Sequence, residues 1–196
     1  MTGRNAIVKR ETKETTVKAE WNLDGSGNAE VTTGIRMLDH LVSQIASHGL
    51  FDIKVSATGD DIHHVAEDAA ITLGKALHQA LGNKRGITRM GSALVPMDDA
   101  LAQVAVDIGG RPYVVVEASF TGIAIGGLPV ELVRHFLVSL ASEARINLHA
   151  RVLAGTDDHH KAEAMFKALG RALDVATRVD PRLSGRIPST KEVIEG

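Results

Sequence analysis

Two short segments of the chain carry the same group of metal-binding side chains, His-His-x-x-Glu. Each residue of the first segment recurs 96 positions later in the second, and the two groups are His63, His64 and Glu67, then His159, His160 and Glu163. On a helix, residues three and four apart share a face, whereas adjacent residues point about 100° apart. Each Glu can therefore reach the same region as a histidine of its own group. The two adjacent histidines are suited to two different metal centres rather than to one ion.

Two more histidines extend this pattern. His40 and His135 each lie in a predicted helix upstream of one group, which brings the total to six histidines and two carboxylates. That is enough for two centres with three His and one Glu each. Imidazole and carboxylate without thiolate favour divalent Mn, Fe, Co or Zn. Four protein ligands on an octahedral ion would leave two positions for water or substrate. One copy alone would most often be an ordinary polar helix start, and the repetition is what favours metal binding.

The elements that must position these residues also occur twice. Hydrophobic periodicity predicts strand, strand, strand, helix, strand, helix in each half of the chain, with the first two helices capped at Gly49 and Gly82. This order favours a four-stranded sheet with two helices on one face. We therefore predict an α+β fold built by internal duplication of two similar α/β halves. The predicted domains are a first half over 1–85, a second half over 86–181 and a C-terminal tail over 182–196.

Composition narrows the functional class. Apolar residues make up 44% of the 196 residues and charged residues 23%, which is typical of a globular protein. We expect no membrane insertion, since no apolar run approaches the roughly 18 residues that a span needs, and a cytoplasmic location without a signal peptide. The formal charge of -2 and the single Trp and Tyr disfavour nucleic-acid binding. The absence of cysteine excludes disulfides and thiolate ligands.

Cationic side chains form a second candidate group, for phosphate. Arg and Lys bind phosphate through charge-assisted hydrogen bonds, and a serine hydroxyl can add a donor. The candidates are Arg89, Arg111, Lys167, Ser189 and Lys191. By spacing alone, each cation could equally be a solvated surface charge. The chain has no Walker or Rossmann glycine loop, so nucleotide binding is not favoured.

Taken in order, the motifs resemble those of imidazoleglycerol-phosphate dehydratase, a family of histidine biosynthesis, over nearly the whole chain. The stretches that carry the resemblance are "RETKET" (10–15), "TGIRMLDHL" (33–41), "ASHGLFD" (46–52), "HHVAEDAAITLGKAL" (63–77), "RMGSALVPMDDALA" (89–102), "DIGGRPY" (107–113), "HHKAEAMFKALGRAL" (159–173) and "IPSTK" (187–191).

The resemblance implies two duplicated α/β halves, a homo-oligomer of 24 subunits built from trimers, and two Mn²⁺ ions in each active site, with sites shared between subunits. It implies two ligand sets, which are His40, His63, His64 and Glu67 for the first, and His135, His159, His160 and Glu163 for the second. Within "KET", Glu14 matches the acid–base carboxylate of the family. The five cationic and serine candidates match its phosphate side, and Gln44 and His48 match its substrate pocket.

The activity implied is a hydro-lyase reaction that converts D-erythro-imidazole glycerol phosphate to imidazole acetol phosphate. Metals that hold the imidazole ring as an imidazolate make it an electron reservoir, and elimination passes through a diazafulvene-type intermediate. We expect the monofunctional form. Four features depart from the family pattern, namely a shortened loop ending at Ile62, and the residues Asp157, Arg36 and Glu192. They leave every ligand in place and bear on loop geometry and phosphate affinity.

Two other functions use the same ligands. A metal-dependent hydrolase would need a base close to a metal-bound water. A metal-storing shell protein would need neither Glu14 nor the cationic group, and these residues favour the dehydratase.

Overall fold

The computed structural model describes residues 3–194. The outermost residues of the predicted first half and of the predicted tail, 1, 2, 195 and 196, lie outside the described residues.

Each half of the described chain contains a four-stranded sheet and two long helices. The elements of the first half are β1 (Asn5–Glu11), β2 (Thr15–Asn22), β3 (Ala29–Thr32), α1 (Arg36–Gly49), β4 (Asp52–Gly59) and α2 (Ile62–Leu81). Those of the second are β5 (Met90–Met97), β6 (Ala100–Asp107), β7 (Tyr113–Glu117), β8 (Ala124–Ile125), β9 (Leu128–Pro129), α3 (Val130–Ala144), β10 (Asn147–Ala154) and α4 (Asp158–Thr177). A 3₁₀ turn over Pro181–Leu183 begins the tail.

The two sheets have the same topology, which confirms the predicted duplication. Their strand orders are β1-β2-β4-β3 and β5-β6-β10-β7. In each sheet the last pair is parallel and the other two pairs are antiparallel. The small hairpin formed by β8 and β9 has no counterpart in the first half, and its two-residue strands were too short to give a periodic signal in the sequence.

Alternating side chains fix which face of each sheet is buried. In β2, Val17, Ala19 and Trp21 are at most 1% exposed, while the residues between them face outward. Strand β6 repeats the pattern with buried small and branched residues at every second position. Most of the buried faces of both sheets and the four helices form one large hydrophobic core, and Val17, Ala57 and Val65 form a small second cluster.

The helices pack across the two halves, with α1 against α4 and α2 against α3. Both crossings use a glycine at matching positions, because Gly74 and Gly170 are also 96 residues apart. A Cβ on Gly74 would lie 2.4 Å from the carbonyl oxygen of Leu140 in α3, and one on Gly170 would lie 2.7 Å from the carbonyl oxygen of Ile45 in α1. These contacts allow the helix backbones to approach closely.

One helix end differs from the prediction. Gly82 caps α2 with φ of 54°, as expected, but the left-handed cap of α1 is Leu50, with φ of 57°, and not Gly49. Gly49 is required for space instead, because a Cβ there would lie 2.4 Å from the ring of Phe51. Among the residues that the structure describes, no helix has the length and apolar character to cross a membrane.

Candidate metal centres and substrate pocket

One candidate metal centre lies between α1 and α4. The Nε2 atoms of His40 and His159 lie 2.9 Å and 3.1 Å from the same carboxylate oxygen of Glu163. The two imidazole rings are 5.4 Å apart at their centroids. All three ligand atoms lie within 4.8 Å of one another, which is the spacing of side chains that can share one ion.

A second centre with the same composition lies between α2 and α3. The Nε2 atoms of His63 and His135 lie 4.0 Å and 3.3 Å from the carboxylate of Glu67. The two rings are 4.9 Å apart, and the three ligand atoms again lie within 4.8 Å of one another.

Within one chain the candidate ligands are grouped differently from the two sets that the resemblance implies. His40 lies with the Glu of the second half, and His135 lies with the Glu of the first. The physical reason is the helix packing, since each upstream helix contacts the motif helix of the opposite half. Each centre therefore draws ligands from both halves, and neither half can form one alone.

The remaining histidine of each pair points away from these centres. The side chains of Asp61 and Asp157 accept hydrogen bonds from the amides of His63 and His159, and these caps fix where α2 and α4 begin. The rings of adjacent histidines are then nearly perpendicular, at 87° in the first pair and 86° in the second. The two rings of each pair therefore face different directions.

A carboxylate holds each outward-pointing histidine. The Nδ1 of His64 donates to Asp60 over 2.9 Å, and the Nδ1 of His160 donates to Asp99 over 2.7 Å. These bonds raise the pKa of His64 and of His160. They leave Nε2 of His64 available, while Nε2 of His160 lies 3.4 Å from a carboxylate oxygen of Asp98. A metal-binding histidine commonly donates its other ring N–H to a carboxylate in this way.

Two observations indicate that the centres fit a cation. The Nε2 of His135 is buried and makes no hydrogen bond, because its alignment with Glu67 is poor. Burial alone would raise the pKa of Glu163, but hydrogen bonds from Lys167 and His40 outweigh it and hold the pKa at about 2. A carboxylate that stays ionised beside imidazole nitrogens is a suitable ligand set for a borderline divalent ion.

Glu14 lies in the turn between β1 and β2, close to the first motif. The Thr12 hydroxyl accepts hydrogen bonds from the amides of Glu14 and Thr15, over 3.1 Å and 3.0 Å. The Glu14 side chain is 57% exposed, and its carboxylate lies 3.9 Å from Nδ1 of His64. The predicted acid–base group is therefore beside an outward-pointing histidine.

Four of the predicted phosphate-side residues line one cavity of about 900 Å³, at the start of β5 and along the tail; they are Arg89, Arg111, Ser189 and Lys191. Arg89 also has structural partners, since it donates to both carboxylate oxygens of Asp107, over 2.7 Å and 3.0 Å, and to the carbonyl of Pro188. It thus anchors the tail against the second sheet. Glu192 lies in the cavity wall and has φ of 57°, a conformation that favours glycine.

The fifth phosphate-side candidate lies elsewhere in the chain. Lys167 pairs with Glu163 over 2.7 Å, beside the α1–α4 centre. Gln44 and His48 are on the same side, where the Gln44 amide approaches His40. Burial first, and then the charges of Lys167 and Arg171, lower the pKa of His48.

Sequence reasoning missed the carboxylates that orient the outer histidines, Asp60 and Asp99. The equivalence of Asp99 emerges from the strand pairing, which matches in the two hairpins at an offset of 85 residues, with Asn5 paired to Asn22 and Met90 paired to Asp107. At that offset Asp99 takes the place of Glu14 in the second half.

The chain is similar to known proteins over its whole length. The profile of the family described as imidazoleglycerol-phosphate dehydratase matches residues 33–173. The imidazoleglycerol-phosphate dehydratase of Dehalococcoides mccartyi is 60% identical over 195 residues, which is 100% of both chains. That of Roseiflexus sp. is 55% identical over 194 residues, covering 97% of this chain and 98% of the relative. A crystal structure of IGPD from Pyrococcus furiosus in complex with (S)-C348 superposes with a TM-score of 0.83 at 39% identity, covering 95% of this chain and 99% of that one.

Proposed function

The chain belongs to the imidazoleglycerol-phosphate dehydratase family, the hydro-lyases of histidine biosynthesis, and from this premise we propose which metals, residues and assembly it uses for the dehydration. The substrate is imidazole glycerol phosphate, which loses water to give imidazole acetol phosphate. The observation that carries the proposal is the pair of matching His-His-Glu clusters at the two helix crossings.

Both clusters are suited to manganese, since they offer imidazole and carboxylate but no thiolate. Bound there, two divalent ions would act as Lewis acids that hold the imidazole ring of the substrate and let it accept electron density. His64 and His160 complete the ligand sets with their Nε2 atoms, and that of His160 exchanges its contact with the exposed carboxylate of Asp98 for the ion. Because both rings point away from the clusters of their own chain, their ions are those of sites shared with other subunits.

Glu14 moves the protons of the reaction. Its carboxylate is exposed and adjacent to His64, so it can reach a substrate held at an ion that His64 binds. The hydroxyl leaves the carbon attached to the imidazole ring, and the hydrogen leaves the next carbon of the substrate. Protonation of that hydroxyl and removal of that hydrogen both need such a group within hydrogen-bond reach.

The cationic cavity binds the phosphate of the substrate. Arg111 and Lys191 lie there beside the hydroxyl of Ser189, and charge-assisted bonds to phosphate would hold the reacting carbons in place. Lys167, Gln44 and His48 lie near the α1–α4 centre instead. A homo-oligomer, with 24 subunits as the resemblance implies, would join the two groups by placing the cavity of one subunit against the metal centre of the next.

The proposal is tested by a Glu14→Gln variant assayed with imidazole glycerol phosphate. General acid–base catalysis contributes roughly 10²–10⁴-fold, so we expect kcat to fall by at least about 100-fold with unchanged manganese content. Glu11→Gln is the matched control, since Glu11 is exposed, belongs to the same hairpin and pairs only with Lys9 among the described residues. Full activity of the Glu14 variant with intact metal content would exclude the proposed role.

A further inference from the structure

A buried charged group underlies the turn that carries Glu14, residues 12–15. Asp68 is 7% exposed and lies on α2, directly after Glu67. One of its carboxylate oxygens accepts a hydrogen bond from Nε of Arg10 over 2.7 Å, and the other accepts a short one from the hydroxyl of Thr15. Asp68 therefore ties the motif helix to both strands of the β1–β2 hairpin.

These bonds continue to the backbone of Glu14. The hydroxyl of Thr15 lies 3.2 Å from that of Thr12, and the latter accepts the amide hydrogens of Glu14 and Thr15. Gly59 fits under the same turn, because a Cβ there would lie 2.9 Å from the side chain of Thr15 and 3.0 Å from the carbonyl oxygen of Glu14. The Glu14 backbone is thus supported by the Asp68 network, in addition to the hydrogen bond that its carbonyl accepts from the amide of Asp60 over 3.2 Å.

The equivalent positions in the second half of the chain lack this hydrogen-bond network. At the offset of 85 in the hairpin and 96 in the helix, the counterparts of Arg10, Thr15 and Asp68 are apolar. They are Val95, Ala100 and Ala164, which are 9%, 2% and 0% exposed. The fold therefore accommodates an apolar core at this position. The Asp68 side chain is 9% exposed and that of its partner Arg10 is 34% exposed. Replacing a buried ion pair by apolar residues is often neutral or stabilising, so stability alone does not explain a charge at the buried position of Asp68.

The two turns differ in how their own carboxylates are held. Asp99, the counterpart of Glu14, accepts hydrogen bonds from the amides of Thr156 and Asp157 and from His160, so its turn is fixed through its side chain. Among the described residues the Glu14 carboxylate accepts no hydrogen bond and only approaches His64. A carboxylate that must exchange protons cannot also hold its own turn through fixed hydrogen bonds, so other residues have to hold the turn of Glu14 in place.

We propose that Asp68 is a positioning residue for the dehydration, which holds the turn that presents Glu14 at a fixed place relative to the metal-binding face of α2. This rests on the acid–base role of Glu14 proposed above. Because misplacement of a reacting group by about 1 Å can cost about 100-fold in rate, loss of the network lowers kcat while substrate and metal binding persist.

The test transplants the apolar residues of the second half into the first, as the triple variant Arg10→Val, Thr15→Ala and Asp68→Ala. We expect an unchanged or higher melting temperature, unchanged manganese content, a KM within about threefold, and a kcat that is roughly 10- to 100-fold lower. Amide hydrogen exchange at Glu14 and Thr15 becomes faster, a readout that does not depend on catalysis. Thr15→Val is a milder variant that removes one hydroxyl, for use if the triple variant does not fold. Asp174→Asn, which breaks a peripheral ion pair with Arg178, is the control and keeps wild-type kcat.

Wild-type kcat in the triple variant, or unchanged exchange at Glu14, would overturn the proposal, since the network would then be structural only. The same variant is measured in a Glu14→Gln background, where no further loss is expected if Asp68 acts through Glu14. An equal further loss there would mean that Asp68 acts by another route. Full activity of Glu14→Gln alone would refute the proposed function itself and this inference with it.

Discussion

Gly74 sets the separation of α2 and α3, and a Gly74→Ala substitution tests whether that separation forms a metal centre. The added Cβ would lie 2.4 Å from the carbonyl oxygen of Leu140 and 2.8 Å from Cβ of Glu143, whereas ordinary contact begins at 3.4 Å. The nearest of these atoms belongs to the helix backbone and cannot rotate away. The two helices must therefore separate by about 1 Å, since protein interiors are too densely packed to absorb the overlap elsewhere.

Two opposing effects decide the stability of this variant. Alanine favours the helix by about 1 kcal/mol relative to glycine, while overpacking of a tight contact costs typically about 1–3 kcal/mol. We expect a net loss of up to about 2 kcal/mol, which lowers the melting temperature by a few degrees. The fold survives, so metal binding can be measured.

The effect on the metal centre is larger than the effect on stability. His63 and Glu67 lie on α2 and His135 lies on α3, so a separation of about 1 Å exceeds the roughly 0.5 Å within which a functional site must be held. We expect the manganese affinity of this centre to fall at least about tenfold, while the α1–α4 centre is unaffected. Gly170→Ala should show the converse, because its Cβ would meet the carbonyl oxygen of Ile45.

The assay is a titration of metal-free protein with manganese, which resolves two classes of site in the wild type. Gln79→Ala is the control, since Gln79 is exposed on α2 and faces neither helix crossing. Wild-type affinity at both centres in both glycine variants would refute the argument that close helix packing builds the sites.

Three further perturbations follow from single side chains. Burial works against ionisation of Asp158, but hydrogen bonds from the amides of Gly122 and Thr121 and from Lys161 hold its pKa at about 2. The stability that the ionised carboxylate contributes is therefore complete above pH 4 and lost as pH falls toward 2. In denaturant unfolding, the difference in free energy of unfolding between wild type and Asp158→Asn should shrink from pH 5 to pH 3, and a constant difference would contradict this. Phe166→Ala should cost about 3–5 kcal/mol in the same measurement, because the ring is fully buried, and a cost below about 1 kcal/mol would be inconsistent with that packing. Glu192→Gln removes a negative charge from the cationic cavity. The KM for the phosphate substrate should therefore fall, and it should fall more at low salt than at high salt. An unchanged KM would mean that the phosphate binds elsewhere.

Most of the fold could be predicted from local patterns in the sequence. The period of the apolar residues predicted the order of elements in each half, and repetition of that order predicted the duplication. A cap residue such as Gly82 acts within a few residues of where it stands, so the C-terminal end of α2 could be located from sequence. Leu50 shows the limit of this reasoning, because the need for glycine at residue 49 comes from a ring and a helix that pack on it and not from its own backbone angle.

The candidate ligands could be predicted, but their grouping could not. A motif reports which residues are adjacent along one helix, whereas the partner of that helix is chosen by packing across the whole chain. His40 and His135 were assigned to the half in which they occur, and each lies with the Glu of the other half. The matched glycines at residues 74 and 170 lie at the two helix crossings, but the sequence does not show which helix each glycine faces.

The central claim is that this chain dehydrates imidazole glycerol phosphate with two metal ions held by the His-His-Glu clusters. It is tested most directly by the rate at which metal-stripped protein forms imidazole acetol phosphate, measured before and after manganese is added. We predict no product until manganese is added, and full activity once about two ions per subunit are bound. Equal rates with and without metal, or no product with both ions bound, would contradict the account.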